Sequence, residues 1–230
     1  MLTPVGRPVK VHDTTACDDW CMRRRYTLRV RAEREAATRR RIVEAAVELH
    51  RTRGPAETTL SAVADLAGVT RHTLYRHFPT EAALLQACRE HLFATQPPPD
   101  FSAVAEIEDL ASRVRHGLTA LYRYYAAHAQ LIGHVLRDAD RVPVGEGFRR
   151  LRVDATAALL AGEAPARREP AAAALLAADF AVWRALTEGA GLSLEEAVEL
   201  MVRFVVATLG ATAPRATSGP PVRSRRSAGR

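Results

Sequence analysis

Long apolar runs are missing from this sequence. No stretch approaches the roughly 20 apolar residues that a membrane-spanning helix needs, and the N-terminus lacks an apolar run of signal-peptide length. A cytoplasmic protein is expected. Cysteine is scarce: Cys17, Cys21 and Cys88 are an odd number and make no disulfide framework. Cys17 and Cys21 bracket the string CDDWC with His12 nearby, but no second ligand pair stands at zinc-finger spacing, so no metal is expected. Cys88 falls in an apolar helical pattern and reads as core. There is no Gly-rich phosphate loop, no nucleophile-elbow string and no metal-ligand cluster, and the histidines stand without obvious acid partners. An enzyme is therefore not expected, and nothing calls for a cofactor. No alternating apolar–polar run marks a strand, which leaves an all-α fold.

Lysine is nearly absent as well. Of 33 Lys and Arg only Lys10 is lysine, and the heavy use of alanine beside it points to genomic composition bias. The basic excess is +7, and it is unevenly spread: +3 in residues 1–33, +2 in 34–95, −3 in 96–213 and +5 in 214–230. A basic chain suits a nucleic-acid partner, though charge alone is weak support. Residues 1–33, with Pro4, Gly6, Pro8 and the cluster Arg23-Arg24-Arg25, read as a basic N-terminal tail, disordered when free. Its arginines can lie along phosphates or in a minor groove, or simply be solvated. Met22 offers an alternative start to Met1. The Arg-rich C-terminal tail, 214–230, has a Pro/Gly/Ser composition and is expected to be disordered.

The informative stretch is Thr58 to Phe78, TTLSAVADLAGVTRHTLYRHF. Leu60, Val63, Ala64 and Ala67 share one face of a short helix. Thr59 is an N-cap type in front of it, and Gly68 follows where a left-handed backbone is cheapest. Thr70 can cap a second helix through His77. Helix, glycine turn, helix is the plan of a helix-turn-helix. The second helix carries Arg71, His72, Thr73, Tyr75, Arg76 and His77 with no carboxylate among them, whereas a solvated helix normally mixes signs. Thr70 and Thr73 can bond phosphate oxygens, and Arg71 can fork onto guanine in the major groove. Upstream, Ile42, Ala45, Ala46 and Leu49 mark a core helix closed by Gly54. Arg39, Arg40 and Arg41 sit at its N-terminal end, where cations conflict with the helix dipole unless a phosphate is near. Downstream, a helix from Glu81 to Thr95 ends at Gln96-Pro97-Pro98-Pro99, the natural domain border. Residues 34–95 thus form a helix-turn-helix DNA-binding domain.

These residues also carry a resemblance. From about Arg40 to Cys88 the chain resembles the DNA-binding domain of the TetR family of bacterial repressors. The strings are RRIVEAAVELHRTRG, TTLSAVADLAGVTRHTLYRHF and PTEAALLQAC. The resemblance implies that Thr59, Thr70, Arg71, His72, Thr73, Tyr75 and His77 fall where that family contacts DNA, with Arg76 beside them. Two departures stand out. The lysine that commonly opens the fourth helix is replaced by Pro79-Thr80-Glu81, and Leu49-His50 and Pro55 stand where aromatics are common.

Residues 96–213 read as a second, all-helical domain. Helices are expected over about Val104–Ala127, Gln130–Arg137, Phe148–Leu160, Ala171–Gly189 and from Leu194 to near Gly210, with Ser193 and Glu196 at capping-box spacing. Leu175, Leu176, Phe180, Trp183 and Leu186 line one helix of the last pair; Leu194, Val198, Met201, Val202, Val205 and Leu209 line the other. Two copies of this pair can build a four-helix bundle, so a homodimer is expected on a palindromic double-stranded operator. Tyr124, Tyr125, His128, His134, Phe148 and Trp183 are the candidate walls of a ligand pocket. The resemblance implies an unknown small-molecule effector, hence a repressor released from its operator by ligand. The alternative is a nonspecific or architectural DNA-binding protein that works through its Arg-rich tails.

Overall fold

The computed structural model describes residues 14–163 and 168–210, and among them there are helices and no strand. The chain divides into two compact units. The first takes in the chain up to Pro97 together with Gly133–Gly145; the second takes in Pro98–Ile132 and the chain from Glu146 onward.

In the first unit, α1 (Thr14–Thr52) leads through a 3-10 turn (Pro55–Glu57) to α2 (Leu60–Ala67), α3 (Arg71–His77) and α4 (Glu81–Thr95). Ile42, Ala46 and Leu49 of α1 pack with Val63 and Ala64 of α2, Leu74 and Phe78 at α3, and Leu84 and Cys88 of α4. Cys88 is core as expected, and burial pushes its thiol up to about 12. This is the apolar stripe read from the sequence, and it explains why α2 and α3, at 8 and 7 residues, are stable although far too short to persist alone.

Upstream of Ile42 the structure departs from the sequence reading. Residues 14–33, expected to be disordered, continue α1, which is 39 residues long. Eight of these twenty residues are Arg, Ala or Glu, good helix formers, but the apolar residues among them are scattered, so no apolar stripe announces the helix. Arg39, Arg40 and Arg41 consequently sit in mid-helix, and the dipole conflict expected at a helix start does not arise. Residues 1–13 and the C-terminal tail, 214–230, lie outside the described residues.

Gly54 closes α1 at a φ of +99°, its N–H donating to His50 O. The end of α6 (Leu110–Asp138) packs against this turn within the same unit. The Asp138 carboxylate, 1% exposed, accepts from the N–H of Ala56 at 3.0 Å and from Arg137 Nε at 2.8 Å, while Arg137 also donates to Arg53 O. A Cβ on Gly54 would lie 2.6 Å from the Asp138 carboxylate. Glycine is required there both for the backbone angle and for this close approach.

The second unit holds α5 (Ser102–Ala105), most of α6, α7 (Glu146–Leu159), α8 (Arg168–Ala177), α9 (Phe180–Arg184) and α10 (Leu194–Gly210). The break expected after Ala127 is only a kink: α6 runs through it, with His128 alone off helical angles at φ −123°. The helix expected over Ala171–Gly189 is instead interrupted at Ala178-Asp179 and ends in a π turn, Ala185–Gly189. The interruption has clear causes. Asp179 caps α9 by accepting from Ala181 N–H at 2.8 Å, and it pairs with Arg152. Tyr122 and Tyr125 hydroxyls donate to the carbonyls of Ala177 and Ala178, both at 2.8 Å, satisfying acceptors freed at the end of α8. Buried Arg113 likewise donates to Leu159 O at the end of α7 and pairs with Glu163. The Ser193–Glu196 capping box forms in both directions.

Two buried groups make the first unit sensitive to acid. His50 is buried and its pKa is lowered to about 4 by desolvation. Its folded pKa lies below the unfolded one, so its contribution is present above about pH 6.5 and fades as pH falls toward 4. The loss from this one group is on the order of 3 kcal/mol at most. Arg137, and the N–H of Ala56, hold the Asp138 carboxyl below the usual carboxylate range, so its contribution is lost only at still lower pH. Urea unfolding should therefore show stability falling in two stages. His50→Leu should flatten the first stage and Asp138→Asn the second, with Asp138→Asn costing about 1–3 kcal/mol at pH 7, because its single amide oxygen cannot accept from both the Ala56 N–H and Arg137.

Candidate nucleic-acid interface

The helix-turn-helix is built by local rules that the sequence states openly. Thr59 accepts from Ala62 N–H at 3.2 Å and caps α2. Gly68 takes the left-handed conformation at φ 64°, and the N–H of Val69 bonds back to Ala64 O. The Thr70 side chain accepts from Thr73 N–H at 3.1 Å, with the two hydroxyls 3.0 Å apart. Leu74 and Phe78 point inward, each 1% exposed. With these anchors in place, α3 turns Arg71, His72, Tyr75 and Arg76 to solvent, with Thr70 exposed at its start and Thr73 half-buried.

The candidate contacts are thus brought to one short helix, with Thr59 exposed at the start of α2. His77 is half-buried: its Nε2 is enclosed with no partner among the described residues, and its carbonyl accepts from Arg39 at 3.3 Å. It stands where the chain leaves the helix for the buried Phe78. Arg76, treated as uncertain by sequence position, is exposed. At the start of α4, Thr80 caps by accepting from Ala83 N–H at 3.2 Å, so the missing lysine leaves a hydroxyl hydrogen and backbone groups at that end.

Sequence reasoning missed the structural part played by Arg39. Its guanidinium lies 4.3 Å from the centre of the Phe78 ring and donates to His77 O. It therefore clamps the C-terminal end of α3, combining a cation–π contact with a capping hydrogen bond. Helical spacing gave no sign of this, since Arg39 and His77 are 38 residues apart. Asp138 was equally unmarked, its partner turn lying 82 residues away.

The candidate ligand residues divide. Tyr124, Tyr125, His128, Phe148 and Trp183 lie in the second unit, whereas His134 lies in the segment that belongs to the first. Tyr125, Phe180 and Trp183 form one aromatic cluster, with ring centres 5.2–5.9 Å apart. The Tyr125 hydroxyl is committed to Ala178 O. Trp183, 4% exposed, is core of its own protomer, yet its indole N–H is buried with no acceptor. Tyr124 stacks edge-on with His128 at 4.5 Å, and burial lowers the pKa of His128, favouring the neutral ring. Leu175 and Leu176, on the apolar face expected to build a bundle with a second copy, are exposed at 39% and 50%. Among the described residues no group of three or more His, Cys, Asp or Glu could hold a metal ion.

Comparison with known proteins agrees with this geometry. Residues 42–88 match the family model of bacterial regulatory proteins, tetR family. Over 68 residues the chain is 47% identical to the HTH-type transcriptional regulator TtgR of Pseudomonas putida, and equally to a probable regulator, ArpR, of the same species. Each match covers 29% of this chain and 32% of the relative, so the chain spans about a third of the curated relatives' length. A TetR-like transcriptional regulator from Rhodococcus sp. RHA1 shares the fold. It is 20% identical with a TM-score of 0.53, covering 76% of this chain and 97% of that one.

The two hydroxyl residues on this surface should behave differently in the absence of DNA. Thr70→Ala removes the α3 cap and should cost about 1 kcal/mol of stability. Tyr75→Phe, with its ring 44% exposed and no hydrogen bond to lose, should change stability by less than about 0.5 kcal/mol. Chemical denaturation of both variants checks the distinction.

Proposed function

Residues 42–88 match the tetR family model, and from that likeness we propose that the protein is a tetR-family regulator: dimeric, sequence-specific, and a repressor released from its operator by a small molecule. The observation that carries the reading is the exposed, acid-free face of α3, held by two caps and two buried anchors. Arg71 is the base-reading residue, since it is exposed in the first turn and can fork onto guanine. Thr70, Thr73 and Tyr75 serve phosphates, as neutral donors do. His72 and Arg76 flank them, and Thr59 approaches from the start of α2.

Dimerisation is supported by unpartnered apolar side chains on the last helices. Leu175 and Leu176 on α8 and Phe204 on α10 are exposed in the protomer, and α8 packs directly on α10. A twofold partner seated there would cover them and present two reading helices to two half-sites. Sensing is supported by the second unit. The indole N–H of Trp183 has no acceptor, and a π turn, of a kind that often marks functional sites, begins two residues later. A ligand bearing an acceptor would satisfy that N–H. α6 runs from this unit into the first, where Asp138 closes on the Gly54 turn. A ligand that favours a position of α6 incompatible with that closure would lower operator affinity by linkage.

Selection of bound sequences from random duplexes, followed by titration, tests the reading. A palindromic preference is expected, with Arg71→Ala losing about 1–3 kcal/mol and relaxing the choice at one base pair in each half. Equal affinity for every duplex at fixed salt would instead indicate an architectural protein. Leu176→Glu with Phe204→Glu should yield folded monomers by sedimentation, with operator affinity falling alongside. A wild-type chain monomeric at micromolar concentration with operator present would sink the two-half-site mechanism.

A further inference from the structure

We infer that the exposed N-terminal part of α1 is a second DNA-binding element, a helical rod whose arginines contact the phosphates of the duplex next to the base pairs read by α3. This rests on the DNA-binding reading and adds to it a contact outside the helix-turn-helix.

Three observations carry it. The first is charge. From Tyr26 to Arg41 the helix holds six arginines, Arg29, Arg31, Arg34, Arg39, Arg40 and Arg41, against two acids, Glu33 and Glu35. An ordinary solvated helix mixes signs at i,i+4 spacing to stabilise itself. Here Arg29 pairs with Glu33 at 3.3 Å, both well exposed, while among the described residues Arg31, Arg34, Arg40 and Arg41 have no carboxylate partner. The sequence adds Arg23, Arg24 and Arg25 immediately upstream. An exposed surface with this excess of arginine matches a polyanion, and arginine's planar fork suits phosphate geometry.

The second is position. The rod is rooted beside the reading helix, because Arg39 donates to His77 O and covers the Phe78 ring at the end of α3. Residues upstream of Arg39 therefore leave the domain from the edge of the DNA-reading surface.

The third is form. The segment is helix continuous with the domain's first helix. From Arg39 back to Arg29 it rises about 15 Å, which matches roughly four base pairs of duplex at 3.4 Å each. A helix held at one end loses less freedom on binding than a disordered tail does, so its contacts are made at lower entropic cost. From Leu28 to Ala36 every residue but the half-buried Val30 is exposed. Folding alone gives these residues no reason to be basic.

The test uses the full chain carrying Arg29→Ala, Arg31→Ala and Arg34→Ala together, beside a matching triple lysine variant, on a selected operator in a duplex extended by about ten base pairs, roughly one helical turn, at each end. Each phosphate contact removed lowers the slope of log K against log salt by about 0.9. The alanine variant should lose about 2–3 from that slope per protomer and bind at least about tenfold more weakly at physiological salt. Its base preference should be unchanged, and its hydroxyl-radical footprint should shorten. The lysine variant should retain most of the slope. Circular dichroism should show both variants fully helical, since all three sites are exposed. An alanine variant with the wild-type slope and footprint, in a chain that binds its operator normally, would overturn the inference while leaving the regulator reading intact. A wild-type chain that binds no duplex would overturn both.

Discussion

The reading helix is seven residues long, and no helix of that length holds itself together in water. Everything functional about the first unit depends on how α3 is held. Its start is set by the left-handed Gly68 and the Thr70 cap, its middle by Leu74 and its end by Phe78. Arg39 then closes the end from α1, over the Phe78 ring and onto His77 O. Exposed Arg71, His72, Tyr75 and Arg76 do none of this holding, whereas Thr70 is exposed and caps the helix as well. The same logic explains why His77 is half-buried: it sits where the helix must give way to a buried anchor.

What was legible in the sequence follows from this. Caps are local, so Thr59, Thr70 and the Ser193–Glu196 box could be read from neighbours three residues apart, and each forms as expected. Gly68 was legible because few other residues suit its φ. The all-α class followed from a 3.6-residue period with no two-residue alternation. The failures share a cause as well. Periodicity reports burial, so the polar extension of α1 back to Thr14 left no trace. The break at Ala178-Asp179 was invisible because the hydroxyls that satisfy it, on Tyr122 and Tyr125, lie 55 and 53 residues away. Asp179 inside an alanine-rich run looked like an interior residue until its cap and its Arg152 pair were seen. Leu175 and Leu176 fit an apolar face by spacing, yet spacing cannot say whether the cover comes from the same chain.

Arginine does two distinct jobs here, and position separates them. Buried Arg113 is structural: its donors are spent on carbonyls at the end of α7 and before α6 and on Glu163. Arg152 and Arg137 each secure an aspartate that in turn satisfies a backbone N–H group. Arg113 and Arg137 lie where a lysine's single point charge would leave acceptors unfilled. Among the described residues, Arg31, Arg34, Arg40 and Arg41 of α1 fill no such acceptors. A composition bias toward arginine explains the choice of residue over lysine in both places, but it does not explain why carboxylates are so few along the exposed helix.

Magnitudes constrain how the proposed control can work. A coupling between sites of about 1–3 kcal/mol already changes affinity from about fivefold to 150-fold. Leaving one buried backbone donor unpaired costs about the same, roughly 1–3 kcal/mol. Asp138 satisfies one such donor, on Ala56, and its carboxylate is almost wholly enclosed. The lack of a Cβ on Gly54 is what lets the carboxylate approach this turn so closely. In the proposed control, a ligand that opposed this closure would weaken operator binding by about the energy of that contact. The marginal scale of the interaction is what makes it suitable: a much stronger clasp could not be opened by a small molecule, and a much weaker one would leave the end of α6 untethered whether or not ligand were bound.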